Sequence, residues 1–212
     1  MLELYDYIRS SAAYRVRIAL ALKKLDATKH EVHLVKDGGA QHGPEYKKVN
    51  PQGLVPSLVI DGVTLTQSLA IIEYLEERYP DPSFLPKDPV HRAYVRAMTM
   101  AIAADIHPIQ NLRVLNYLRK ELAQPEDAVL TWTRHWIMKG LAGFEALANR
   151  APVQGIYCFG ETVTMADIFL APQMVNARRY GCDLAGVPRL VEIDARLQML
   201  PAFAQTTSEV KP

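Results

Sequence analysis

The apolar and polar positions of this chain follow two different periods in its two halves. Leu2 to Tyr7 alternates apolar with polar, as a half-buried strand does. Helical spacing follows from about Ala13 to Leu25, with Val16, Ala19, Leu20 and Lys23 in register. Alternation returns over His30 to Val35, which predicts a second strand, and Lys36 to Pro44 reads as a long loop. Ser57 to Ile60 is a short apolar run. Asp61-Gly62 after it is a strong hairpin signal, because Gly tolerates the positive φ of a tight turn, and Thr64 to Thr66 is the return strand. Ser68 can cap a helix whose apolar face is Leu69, Ile72 and Leu75. Residues 1–80 therefore read as β-α-β, loop, β-β-α, a compact unit on a mixed four-stranded sheet.

Beyond Tyr79 the period becomes helical throughout. Four prolines between Pro80 and Pro89 mark residues 81–89 as a stiff linker. Residues 90–212 then predict an all-helical second domain. Its helices run from Val90 to about Ala104, with a kink or restart at Pro108, then Leu112 to Leu122, Ala128 to Asn149, Ile168 to Tyr180 and Val187 to Leu200. Trp132 and Trp136 lie one turn apart and are expected in the core. Thr164-Met165-Ala166-Asp167 reads as a capping box, so Asp167 is a structural acid rather than a catalytic one. The last dozen residues read as loosely ordered.

Composition narrows the function classes. The 212 residues carry 49% hydrophobic and 22% charged side chains, enough for a sizeable core. A net charge of +1 gives no nucleic-acid footprint. No long apolar run predicts a membrane span, and Met1 to Tyr5 lacks the features of a signal peptide. Cys158 and Cys182 have no metal-ligand spacing and read as buried free thiols. The expectation is a soluble cytoplasmic protein.

Candidate chemistry clusters at three places in the first half. Val55-Pro56 precedes a strand with central character, where proline costs a ladder hydrogen bond. A cis peptide there would turn the Val55 backbone outward, so that an extended peptide could pair with it as an added strand. Gln67-Ser68 stands at a helix N-terminus, whose free N–H groups and dipole favour a carboxylate. A rigid turn plus an ordinary cap would explain the same residues. At the start of the first helix, disulfide oxidoreductases of this topology carry Cys-x-x-Cys, and here the residues are Ser10-Ser11-Ala12-Ala13. Dithiol chemistry is excluded at that position. A serine hydroxyl can still stabilise a ligand thiolate, while a simple cap would account for one of the two serines.

The motif order, together with Arg9-Ser10-Ser11-Ala12-Ala13-Tyr14-Arg15-Val16-Arg17-Ile18-Ala19-Leu20, resembles a zeta-class glutathione transferase. Lys36-Asp37-Gly38-Gly39, Gln67 to Leu75, Gln110-Asn111-Leu112 and Thr164 to Asp167 match the same family, and the likeness spans nearly the whole chain. Ala12 and Tyr14 depart from it, standing where the family often has Cys and Trp. The resemblance implies a thioredoxin-like N-terminal domain, a C-terminal helical bundle, glutathione as cofactor and a homodimer, for which the Ala/Met-rich stretch at residues 97–104 is a candidate face. It implies that Ser10 and Ser11 hold the glutathione thiolate, that Val55 pairs with the cysteinyl backbone, and that Gln67 and Ser68 hold the γ-glutamyl carboxylate. Gln41, His42, Gln52, His107 and Asn111 would complete the cofactor contacts. Arg15 and Arg17 are expected to anchor the helix or the domain contact.

The implied substrates are maleyl keto acids, with maleylpyruvate of gentisate breakdown first and maleylacetoacetate second. Rotation about a C=C bond is slow; adding a thiolate leaves a rotatable single bond and an enolate, and loss of the thiolate then gives the fumaryl isomer. The protein must supply cations for two carboxylates and charge stabilisation. Arg9, Arg113 and Arg179, with Arg178 as alternative to Arg179, are the candidate clamps, since Arg binds carboxylates bidentately. Arg9 and His107 join the two serines as the candidate catalytic set. A general glutathione transferase and a non-catalytic binding protein of the same fold are the competing readings.

Overall fold

The computed structural model describes residues 1–207. It divides into one compact unit of residues 1–83 joined by the segment from Leu200 onward, and a second of residues 84–199.

The first unit is built on a sheet of order β2-β1-β3-β4, from β1 (Leu2–Asp6), β2 (Thr28–Glu31), β3 (Ser57–Ile60) and β4 (Val63–Thr66). β1 pairs parallel with β2 and antiparallel with β3, which pairs antiparallel with β4, so the sheet is mixed as expected. β3 is central, and the peptide between Val55 and Pro56 just before it is cis. Asp61 and Gly62 both have positive φ, the signature of a two-residue hairpin turn.

Helix α1 (Ser11–Leu22) begins two residues earlier than predicted and is buried over Ser11 to Leu20. The second strand is displaced from the expected His30–Val35. Its ladder ends at the pair Asp6–Glu31 because β1 runs out there. Beyond it, His33 Nδ1 accepts the backbone N–H groups of Val35 and Lys36 at 3.2 and 2.9 Å and bends the chain away. The predicted loop from Lys36 to Pro44 contains two 3₁₀ turns, and a short helix α2 (Pro44–Val49) with Pro at its start was missed.

Helix α3 (Ser68–Arg78) buries Ser68, Ile71, Ile72, Leu75 and Glu76, a face rotated slightly from the predicted one, with Leu69 half-buried. The expected Ser68 cap is also corrected. Gln67 occupies the cap position and no side-chain cap bond forms.

The start of the proline-rich stretch is tied to the first unit. Within the first unit, the buried Lys23 ammonium donates to Glu76 Oε2 at 2.8 Å and to the Pro82 carbonyl at 2.7 Å, and Ser83 Oγ donates to Glu76 Oε1 at 2.6 Å. Phe84 and Leu85 are buried. The expectation of a loosely ordered tail fails over Pro201–Ala204, which forms helix α9 and packs with the first unit, Phe203 being fully buried. The Tyr14 hydroxyl donates to the Phe203 carbonyl at 2.9 Å. Residues 208–212, also within that expectation, lie outside the described residues.

The second unit contains α4 (Pro89–Met100), a π turn (Ala101–Ile106), α5 (Leu112–Lys120), α6 (Glu126–Asn149), α7 (Met165–Arg179) and α8 (Pro188–Gln198). The irregularity expected at Pro108 is already present before it, in the π turn. A Cβ on Gly140 of α6 would collide with Ile106, so glycine there admits the turn against α6. The capping box at Thr164 and Asp167 is present, with the buried Asp167 carboxylate also accepting from the Cys158 N–H at 2.9 Å. Burial pushes its carboxyl upward despite these donors.

Two core expectations are corrected. The buried face of α6 is Val129, Thr133, Ile137, Leu141 and Phe144, so Trp132 and Trp136 fall on its flank. Their rings meet edge to face at 5.7 Å, and Trp132 is 36% exposed. Both cysteines are free, but only Cys158 is fully buried, Cys182 being half-buried. No helix among the described residues is long and apolar enough to cross a membrane.

Candidate active site

The loop before β3 is fixed from beneath. The Tyr46 hydroxyl donates to the Leu54 carbonyl at 2.7 Å, Asn50 Nδ2 donates to the same carbonyl at 2.7 Å, and Asn50 Oδ1 accepts the Gln52 N–H at 3.0 Å. Tyr46 also meets Ser57 Oγ at 3.0 Å, and its burial raises the phenol pKa. Val55 packs its side chain with Tyr7, Val32 and Tyr46. Its backbone N–H and C=O take no hydrogen-bond partner among the described residues, although the residue is buried. Buried backbone groups are ordinarily paired, so an extended ligand strand suits this position.

Gln67 carries a φ of +68°, a conformation uncommon for a residue with a Cβ, and such outliers cluster at ligand sites. Its Nε2 donates to Gln52 Oε1 at 3.0 Å, so two residues separated in sequence meet at the N-terminus of α3. Ser68, the first residue of that helix, accepts from Arg15 Nη1 at 3.3 Å. Arg15 is fully buried in α1, and burial pushes its guanidinium down to about 9. A buried cation behind a helix N-terminus reinforces the preference for an anion there.

Close approach of two loops adds His42. A Cβ on Gly53, which has φ +62°, would stand 2.9 Å from the Gln41 carbonyl and 3.8 Å from His42 Nδ1. Only glycine permits this contact. His42 and Gln52 are exposed, whereas Gln41 is buried and donates to the Leu34 carbonyl at 3.1 Å, bracing the loop from inside. His42, Gln52, Gln67 and Ser68 are thus linked through neighbouring contacts, with Val55 close in sequence.

The two serines separate. Ser10 is the N-cap of α1, and its Oγ accepts the Ala13 N–H at 3.2 Å. Ser11 is the first helical residue and is buried. Arg9, just before them, is exposed.

In the helical unit, His107 follows the π turn and Asn111 caps α5, its Oδ1 accepting the Arg113 N–H at 3.1 Å. Asn111 Nδ2 lies 3.3 Å from His107 Nε2. Arg113 is exposed. Arg178 pairs with the buried carboxylate of Asp194 at 2.6 Å, which commits it within the unit. Arg179 is exposed and donates to Asn176 Oδ1 at 3.3 Å. Among the described residues no group of His, Cys, Asp and Glu could hold a metal.

Sequence reasoning missed the bond between Gln52 and Gln67 and the contact between Arg15 and Ser68. The second had a signal: an arginine on a helix apolar on nearly every face needs a polar partner.

A mixed sheet of this order with a cis-proline loop and a helix N-terminus beside it is thioredoxin-like, and residues 4–83 match the family model for the glutathione S-transferase N-terminal domain. A probable maleylacetoacetate isomerase of Vibrio cholerae is 47% identical over 209 residues, 99% of this chain and 96% of the relative. A maleylpyruvate isomerase of a Ralstonia species is 42% identical over 211 residues, 100% of this chain and 99% of the relative. The holo structure of a zeta-class bacterial maleylpyruvate isomerase superposes with a TM-score of 0.95 at 42% identity, covering 99% of this chain and 98% of that one. A maleylacetoacetate isomerase from Methylobacterium extorquens, solved with malonate and glutathione bound, gives a TM-score of 0.94 at 36% identity, covering 99% and 98%. The chain belongs to the zeta-class glutathione transferase family, with the maleylacetoacetate and maleylpyruvate isomerases as its relatives.

Proposed function

We propose that this protein is a glutathione-dependent cis–trans isomerase of maleyl keto acids, converting maleylpyruvate to fumarylpyruvate. The observation that carries the reading is the backbone of the buried residue Val55, unpaired among the described residues, in the same unit as the Gln67-Ser68 helix start and the paired serines. These fit an extended acidic tripeptide: a strand mount at Val55, an anion site at Gln67 and Ser68, and hydroxyls at Ser10 and Ser11. When bound, glutathione supplies the thiolate whose addition makes the double bond rotatable.

The remaining roles fall to the chain. A serine at the start of α1 donates its hydroxyl proton toward the sulfur, helped by the helix dipole, which keeps the thiol ionised near neutrality. Gln52 steadies Gln67. Arg9, Arg113 and Arg179 grip the two substrate carboxylates, and His107 offers a protonatable ring for charge developing during rotation. Arg178 is the weaker candidate clamp because Asp194 already holds it. Assembly as a homodimer belongs to the same proposal, with the partly exposed stretch at residues 97–104 as its candidate face.

A second reading, maleylacetoacetate as the preferred substrate, is favoured by the 47% identity to the Vibrio relative. The test is turnover of both maleyl keto acids with and without glutathione, with chlorodinitrobenzene as a general electrophile. Glutathione-dependent isomerisation fastest on maleylpyruvate is expected. Turnover without glutathione, or conjugation as the main activity, removes the proposal.

A further inference from the structure

Arg17 lies in α1, six residues beyond Ser11, and is 4% exposed. Every nitrogen of its guanidinium has a partner. Nη1 donates to Asp6 Oδ1 at 2.6 Å and to the Tyr7 carbonyl at 3.4 Å. Nη2 donates to the Ile8 carbonyl at 3.0 Å, and Nε to the Thr206 carbonyl at 3.0 Å. The Tyr7 carbonyl also accepts the Ser10 N–H at 2.9 Å, closing a turn. The short loop between β1 and α1 is therefore gripped at the two carbonyls that immediately precede Arg9 and Ser10. A planar fork with fixed donor directions can hold several carbonyls at once, which a lysine ammonium on a flexible stem does not reproduce.

We propose that Arg17, braced by Asp6 and by the carbonyl of Thr206 in the returning C-terminal segment, is a positioning residue that fixes the Arg9-Ser10-Ser11 loop in the geometry that stabilises a ligand thiolate. This rests on the glutathione-dependent reading above. Arg17 does not touch the ligand; its guanidinium is occupied by Asp6, the loop carbonyls and the tail. The C-terminal segment becomes part of the catalytic apparatus through one backbone oxygen.

The experiment measures the pKa of the glutathione thiol bound to wild type and to Arg17→Lys, from the ultraviolet absorbance of the thiolate against pH, alongside glutathione affinity, kcat and KM. Lysine keeps the charge beside Asp6 and removes the fork. The expected result is a bound-thiol pKa raised by about one unit, a roughly tenfold lower kcat below that pKa, and little change in glutathione Kd or substrate KM. If Arg17→Lys does not fold, the neutral pair Asp6→Asn with Arg17→Gln carries the same measurement without a stranded buried charge. A folded variant with a wild-type thiol pKa overturns the inference. A wild type that binds glutathione without lowering its thiol pKa overturns the proposed function instead, and the two failures are told apart by which protein shows them.

Discussion

In the first unit several polar groups at the candidate site are buried or tethered: Ser11, Ser68, Arg15 and Arg17 are all buried, and Gln67 is bonded to Gln52, while Arg9 and His42 are exposed. In the helical unit the candidate clamps Arg113 and Arg179 are exposed, and Arg178, paired with the buried Asp194, has its charge committed elsewhere. Under the proposed function, the tethered groups of the first unit lower the ordering cost of binding the cofactor, whereas the exposed arginines of the helical unit would be ordered only when a diacid binds. On the same reading, the cofactor mount stays constant while exposed positions on the helices set which acid is taken.

The comparison is broken most severely at the foot of the first unit. Lys23 and Glu76 form an ion pair at 2.8 Å with side-chain exposures of 0% and 7%. Lys23→Met leaves the Glu76 charge buried and is expected to cost about 3–5 kcal/mol of unfolding free energy. Chemical denaturation measures it. A loss under about 1 kcal/mol, the range of exposed pairs, would show that this pair does not brace the unit.

The second test separates the neighbouring arginines of α7. Arg179→Ala and Arg113→Ala are expected to raise substrate KM by about ten- to a hundredfold, the range of a charged hydrogen bond lost, with little change in stability. Arg178→Ala is expected to do the reverse. It leaves the Asp194 carboxylate, 1% exposed, without its cation, and should cost about 1–3 kcal/mol of stability with a near-normal KM. Steady-state kinetics and thermal unfolding on the three variants decide it. An Arg178→Ala variant with lost affinity and intact stability reverses the assignment.

A smaller effect distinguishes the serines. Ser10→Ala removes the N-cap of α1 and should cost about 1 kcal/mol of stability, while Ser11→Ala should not. The variant that loses the thiolate contact shifts the acid limb of the rate profile upward by about one pH unit, equivalent to about 1.4 kcal/mol. If neither shifts the limb, thiolate stabilisation at this helix start is wrong.

What the sequence exposed, and what it hid, follows the range of the interactions. The Asp61-Gly62 turn, the cis-compatible Val55-Pro56 and the Thr164–Asp167 box are set by adjacent residues, so they were legible. The end of the second strand depends on where β1 stops pairing, and the rotation of α6 that brings Trp132 to the surface depends on its neighbours. Neither is written locally. The short helix α2 hid in a polar stretch because its six residues carry almost no apolar period, only Tyr46 being buried. At the site, each residue type was legible, but the bonds joining Gln52 to Gln67 and Arg15 to Ser68 span 15 and 53 residues and emerge only in the fold.

The gentlest perturbation of the preorganised half is Gln52→Ala. Gln52 is exposed, so its loss opens no cavity and stability should change by no more than about 0.5 kcal/mol. What it removes is the acceptor for Gln67 Nε2, the side-chain tether on a residue at φ +68°. Without that tether Gln67 samples more orientations, and the cost is met when a ligand binds. A neutral hydrogen bond of about 0.5–1.5 kcal/mol predicts a weakening of glutathione affinity of about two- to tenfold. The loss should fall on the γ-glutamyl end alone. Calorimetric titration with glutathione, repeated with cysteinylglycine, which lacks that end, isolates it: the variant should weaken the tripeptide and leave the dipeptide unchanged. Equal weakening of both ligands would mean that Gln52 shapes the loop before Val55 rather than the anion site, and the preorganisation of this half would then lie in the backbone.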